Sequence, residues 1–93
     1  SGRAYAAKLL LWRSLGYHVS LYFLQLPTAE MAMDRVRIRV SQGGHNIPDD
    51  VIRRRFAAGL NQFEKTYKPI VNAWFLYNNQ HRPPILLSEG VNP

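Results

Sequence analysis

The 93 residues contain no cysteine. That removes disulfide frameworks, thiolate zinc sites and cysteine nucleophiles together, and gives no sign of an oxidising compartment, so a cytoplasmic location is the expectation. No run of about eighteen apolar residues occurs, the longest candidates being interrupted by Arg13, Gln25 or Pro27, so no segment has the make-up of a membrane-crossing helix. The two common glycine motifs that cradle phosphate at a strand-to-helix turn, G-x-x-x-x-G-K-[ST] and G-x-G-x-x-G, are missing. His18, His45 and His81 are scattered and have no cysteine company, a poor basis for a metal site. Ser20 lacks Gly-x-Ser-x-Gly surroundings, so a nucleophile elbow is unsupported.

What is present suffices for a fold. Hydrophobic residues make up 46% and aromatics 12%, too rich for a disordered chain. A chain this short forms one domain at most and buries a modest share of its surface, so its core is expected to be small and incomplete. The opening Ser1-Gly2-Arg3 has neither a methionine nor the basic-then-apolar layout of a signal peptide. A fragment of a longer protein is the expectation.

The net charge is +6, from twelve basic and six acidic residues, and nine of the twelve are arginine. Arginine offers a planar five-donor fork suited to phosphate and carboxylate, which a merely solubilising surface does not require. Arg35, Arg37, Arg39, Arg53, Arg54 and Arg55 stand against Asp34, Asp49 and Asp50 in the stretch 34–55, an excess of three charges.

Residues 3 to 15, "RAYAAKLLLWRSL", have the composition of a helix that ends at Gly16. "YHVSLYFLQL", 17 to 26, is β-branched, aromatic and almost continuously apolar, the pattern of a parallel strand covered on both faces, with His18 packed in or beside it. Pro27 stops the strand, and Thr28 can cap a second helix with Glu30 in its first turn. "RVRIRV", 35 to 40, reads two ways: a strand with one charged face, or the continuation of the helix. The helix is favoured because no breaker precedes Gly43-Gly44.

"SQGGHNI" is then a loop, and Pro48 reads as the first residue of a third helix whose Asp49 and Asp50 suit the positive end of the dipole better than an acid/base role. From there to about Tyr67, the residues Ile52, Phe56, Gly59, Leu60, Phe63 and Tyr67 fall within roughly a 100° arc. On that wheel Arg53 and Arg55 flank the apolar stripe on opposite sides and Arg54 points away. After Pro69, "VNAWFLYNN" and "PPILLSEG" read as two strands joined by a polar turn, the second at a sheet edge.

Two sets of arginines bracketing a glycine loop point to an anion-gripping segment, with a plain solvated charged face as the alternative. Nucleic acid is a rival partner, since Phe56, Phe63 and Tyr67 are interleaved with the basic charge. These aromatics belong to the apolar stripe, however, which makes them core before they are stacking platforms.

"GYHVSLYFLQLPTAEMAMDRV", "RVSQGGHNIPDDVIRRRF" and "WFLYNNQHRPPILL", in this order and over nearly the whole chain, resemble the C-terminal half of the zeta-toxin-like family of P-loop kinases, in its bacterial branch of predicted ABC-type ATPases. The resemblance implies an α/β fold: a partial doubly wound parallel sheet of P-loop kinase type, lacking the N-terminal phosphate-loop strand and helix. It implies one incomplete domain over 1–93, with 41–56 as a lid-like basic segment. It implies ATP with Mg²⁺ as cofactor, a phosphate acceptor such as a nucleotide sugar, and an antitoxin partner. Zeta toxins proper phosphorylate UDP-N-acetylglucosamine.

Carried over by resemblance, Arg39 and His45 at the start of the lid and Arg54 and Arg55 beyond it lie near phosphates, Arg35 supports them, and Asn78 of "FLYNN" contacts the nucleotide base side. Ser1-Gly2-Arg3 resembles the middle of a motif that follows the phosphate loop and the catalytic acid, so this chain by itself is expected to be inactive. If the chain is instead a truncated form that has become something else, its exposed sheet edge, where the missing strands should pair, favours a homodimer. The competing expectation is a non-enzymatic basic module, possible as a homodimer, that binds nucleic acid or an acidic protein partner.

Overall fold

The computed structural model describes residues 2–93; Ser1, the start of the Ser1-Gly2-Arg3 opening, lies outside the described residues. Helix α1 (Gly2–Ser14) is followed by strand β1 (Ser20–Gln25), helix α2 (Ala29–Ser41), helix α3 (Asp49–Gln62), a π-helical turn over Phe63–Tyr67, a 3₁₀ turn over Lys68–Ile70, and strands β2 (Ala73–Asn78) and β3 (Ile85–Val91). The breaks follow from local chemistry. Gly16, with φ of +92°, takes the left-handed conformation that ends α1. The Thr28 hydroxyl accepts the Met31 N–H at 3.2 Å and starts α2. Residues 35–40 are helical, and α2 runs on to Ser41. Pro48 is the cap of α3 rather than its first residue.

The sheet has the order β1-β2-β3 and is mixed. β1 and β2 are parallel, in a register that pairs Tyr22 with Phe75 and Leu24 with Tyr77. β3 runs antiparallel to β2 at the outer edge. The fold is thus mixed α/β, and the expectation of a parallel sheet fails at β3: the short polar turn after Asn79 can only return the chain antiparallel, since a parallel return needs a crossover of a dozen or more residues.

The helices lie on one face. Phe63, fully buried, stacks on Phe23 at 4.7 Å between ring centroids and meets Trp74 edge-on at 5.9 Å. Leu9 of α1 joins Val19 and Val71 in a cluster that includes Leu21 and Trp74. Met33, Val36 and Ile52 form a second small cluster between α2 and α3. The opposite face is open: along β1 the residues alternate, with Tyr22 61% and Leu24 54% exposed. Among the described residues the double covering expected of residues 17–26 is therefore absent, and all three helices cover the same face of the sheet. Tyr17 and His18 precede the strand and are exposed, which corrects the packing role expected for His18. An apolar strand predicts that both faces seek cover; it does not supply the second layer.

The radius of gyration is 15.3 Å, with extents of 45 × 27 × 21 Å. A compact domain of this length would have a radius of about 12 Å. Two small clusters in place of one central core account for the elongation.

Candidate anion-binding cleft

β1 ends at Gln25, and the chain turns at Pro27 into α2, which runs back beside the C-terminal end of the parallel strand pair. α3 returns against α2 through Ile52, Met33 and Val36. Between these elements lies a cleft of about 390 Å³. Its floor is apolar, with Phe23, Val36, Ile52 and Phe56, and its walls carry the guanidinium side chains of Arg35, Arg39 and Arg55. No carboxylate lines it.

Five of the six arginines of the 34–55 segment divide into two sets, with the exposed Arg54 in neither. Arg37 pairs with Asp34 at 2.6 Å and with Asp49 at 3.5 Å, and Arg53 pairs with Glu30 at 2.9 Å. These two clamp α3 to α2 on the outside. Arg35, Arg39 and Arg55 have no carboxylate partner among the described residues, and all three line the cleft. Arg39 and Arg55 are exposed, so solvent screens their repulsion, and an anion entering the cleft meets three cations without carboxylate partners. The Arg35 guanidinium is half-buried and donates to the Asn79 carbonyl at 2.6 Å, so its position is fixed.

Glu30 titrates below the usual carboxylate range. Its backbone hydrogen bond at the start of α2 is the larger cause, followed by the hydrogen bond and charge of Arg53. This carboxylate stays ionised and keeps Arg53 occupied away from the cleft. The loop between α2 and α3 is held tight: Gly43 has φ of +95°, and the Gly44 N–H donates to the Arg39 carbonyl at 2.7 Å. A Cβ at Gly44 would come within 2.9 Å of that carbonyl oxygen. The backbone that carries Arg39 is thereby anchored to the loop.

Of the residues assigned by resemblance, Arg35, Arg39 and Arg55 come together at the cleft, whereas His45 and Arg54 are exposed and do not line it. Asn78 is turned into the chain reversal after β2, where its side-chain oxygen accepts the Gln80 N–H at 2.8 Å. Its neighbour Asn79 lines the cleft instead. The lid-like segment 41–56 is part loop and part helix, and only its Ile47, Ile52, Arg55 and Phe56 reach the cleft. Sequence reasoning missed Asn79 and the aromatic floor residue Phe23. The signal for Phe23 was its place near the C-terminal end of a parallel strand, where α/β sheets bind ligands.

Comparison with protein-family models, curated proteins and solved structures finds no match to the chain.

Proposed function

We propose that this chain is the lid-bearing C-terminal part of a zeta-toxin-like ATP-dependent phosphotransferase, supplying phosphate and nucleotide-side contacts and inactive by itself. The observation that carries the reading is the cleft at the C-terminal end of a parallel strand pair, with three arginines free of carboxylates above an apolar floor. Arg39 and Arg55 grip phosphate oxygens from two helices, and Arg35, fixed by Asn79, sets the third position. Guanidinium groups held in this way stabilise negative charge as it passes between oxygens of a transferring phosphoryl group. Phe23 and Phe56 offer apolar contact for a nucleoside.

Mg²⁺ does not fit this cleft, because its lining provides cations where the ion needs oxygen ligands, chiefly carboxylates. The ion, the phosphate loop and the general base belong to strands that would pair with the free edge of β1, together with the surface for a nucleotide-sugar acceptor and for an antitoxin. His45 and Arg54, exposed on the loop and on the outer side of α3, contribute only if the loop moves toward a bound triphosphate.

The test is titration of the chain with ATP at low ionic strength, followed by amide NMR. Shifts are expected at Arg35, Arg39, Arg55 and Asn79, and each of Arg39→Ala and Arg55→Ala should weaken binding about tenfold, as expected for loss of one charge-assisted hydrogen bond. No response to ATP, combined with salt-sensitive binding of a short RNA, would overturn the assignment in favour of the basic module.

A further inference from the structure

We propose that the free edge of β1 pairs with β1 of a second copy of this chain, antiparallel about a twofold axis at Phe23, to give a closed dimer with a six-stranded sheet. The proposal does not rest on the phosphotransferase reading and competes with it for one edge: strands that completed a kinase sheet at β1 would displace the second copy. β1 has a single neighbour in the order β1-β2-β3, so the backbone groups along its outer side lack strand partners. Soluble proteins blunt such edges with charge, proline or a bulge, and "SLYFLQ" has none of these.

The other edge is blunted. β3 pairs Leu86 with Tyr77 and Ser88 with Leu76, leaving Leu87 as an extra residue; it also carries Glu89 and follows Pro83-Pro84. This asymmetry selects the assembly. Addition of β1 to β3 would run on as a filament, and the irregular, charged β3 edge opposes it; addition of β1 to β1 uses one surface twice and closes.

The register follows from the pleat. Across a twofold axis normal to the sheet, facing residues must share a face, so their numbers sum to an even value. A sum of 46 sets Tyr22 opposite Leu24 of the second copy, Phe23 opposite Phe23, and Leu21 opposite Gln25. A sum of 44 would leave Gln25 unpaired and put Ser20 against Leu24. The first register places the exposed pair, Tyr22 and Leu24, in mutual contact.

The adjoining open face favours a protein over a nucleic acid. Tyr22 stacks on Phe75 at 4.7 Å and lies 6.3 Å from Tyr77 in a platform that could hold bases. The charged strand residue on this face, however, is the acid Glu89, which faces Phe75. Nucleic-acid affinity rests on cations beside the bases, and the three arginines without carboxylate partners that line the cleft stand on the helix side. Because the twofold axis is normal to the sheet, both helix layers fall on one side, and the two arginine clefts, each reaching β1 through Phe23 and Leu24, lie next to each other across the seam.

The paired edges are only six residues long, shorter than a standard interface of roughly 800 Å² per partner requires, so the dimer is expected to be weak and concentration-dependent. Sedimentation of the intact chain between about 5 and about 200 µM should show a concentration-dependent shift from monomer to dimer. The double variant Tyr22→Lys/Leu24→Lys places four cations on the seam and should sediment as a monomer. Mixing it with Tyr22→Glu/Leu24→Glu should restore a dimer, which a merely misfolded variant could not do. Since the chain has no cysteine, a mixture of Tyr22→Cys and Leu24→Cys chains should form a disulfide faster than either alone. A monomer throughout the range, a dimer that survives the four lysines, failure of the mixture to pair, or cross-linking no faster in the mixed sample would each overturn the proposal.

Discussion

The Arg35 guanidinium donates to the Asn79 carbonyl at 2.6 Å, joining the middle of α2 to the residue that follows β2, forty-four positions away in the chain. The bond fixes one wall of the cleft to the end of the sheet and points a permanent charge at its opening. A charge-assisted bond at a half-buried site contributes about 1.5–3 kcal/mol. Arg35→Ala should therefore lower the unfolding free energy by about 1–3 kcal/mol in denaturant titration, because the Asn79 carbonyl loses its partner. Arg35→Lys should recover part of this, having a donor but not the planar fork. If Arg35→Ala melts like the parent chain, the bond does not hold the cleft wall.

The clamp made by Arg53 and Glu30 gives a pH prediction. The folded carboxylate of Glu30 titrates below its ordinary value, so its contribution to stability is fully present above the unfolded value and is lost as the pH falls through the folded one. The affected window lies at and below the ordinary carboxylate range. The difference in stability between the parent and Glu30→Gln should be measurable at neutral pH, small because both side chains are more than half exposed, and absent in acid. A difference that persists unchanged below this window would mean that the charge on Glu30 is not what ties α3 to α2.

Much of this architecture was legible in the sequence, and the losses have identifiable causes. Gly16, Thr28 and Gly43 mark helix ends through backbone and capping chemistry that acts within a few residues, and the structure has its ends there. The choice for residues 35–40 was decided by continuity: a helix already nucleated by Thr28 runs through alternating arginines, since no residue in the run costs enough to stop it. The open face of β1 was not legible, because Tyr22 and Leu24 are as apolar as Leu21 and Phe23, and which of them finds cover depends on where α3 returns. At the cleft, the wheel separated Arg53, Arg54 and Arg55 onto different sides of α3. The partners of Arg53 and Arg37, Glu30 and Asp49, come from tertiary pairing that spacing does not reveal. A rotation of one residue exchanged Asn79 for Asn78, which is set by the turn after β2 and its hydrogen bond to Gln80.

Phe63 joins the sheet to the helix layer. It is fully buried, stacks on Phe23, and contacts Trp74 edge-on. Phe63→Ala should cost about 3–5 kcal/mol through lost transfer energy and the cavity left behind. Because the clusters among the described residues are small, this loss is expected to abolish cooperative thermal unfolding, as followed by circular dichroism. Phe63→Leu, which retains most of the volume, should unfold cooperatively at a lower temperature. Equal behaviour of parent and Phe63→Ala would show that the two layers are held together elsewhere.

Gly90 lies opposite Trp74 where β3 crosses β2, and a Cβ there would come within 2.5 Å of the indole Cζ2. The indole has little freedom to retreat. It packs on the Leu9–Val19–Val71 cluster, meets the edge-on ring of Phe63, and lies under the Lys68 ammonium, 4.0 Å from its centroid, which is also held by Glu64 at 3.1 Å. Gly90→Ala must displace either the ring or β3, and overpacking of this kind costs about 1–3 kcal/mol. Trp12 is the second indole, so in a Trp12→Phe background the emission comes from Trp74. Gly90→Ala in that background should red-shift the emission as the ring moves toward water and lower the denaturation midpoint. An unchanged spectrum with a lower midpoint would mean that β3 yields instead of the indole, and the bulge at Leu87 is the place where the strand can give way.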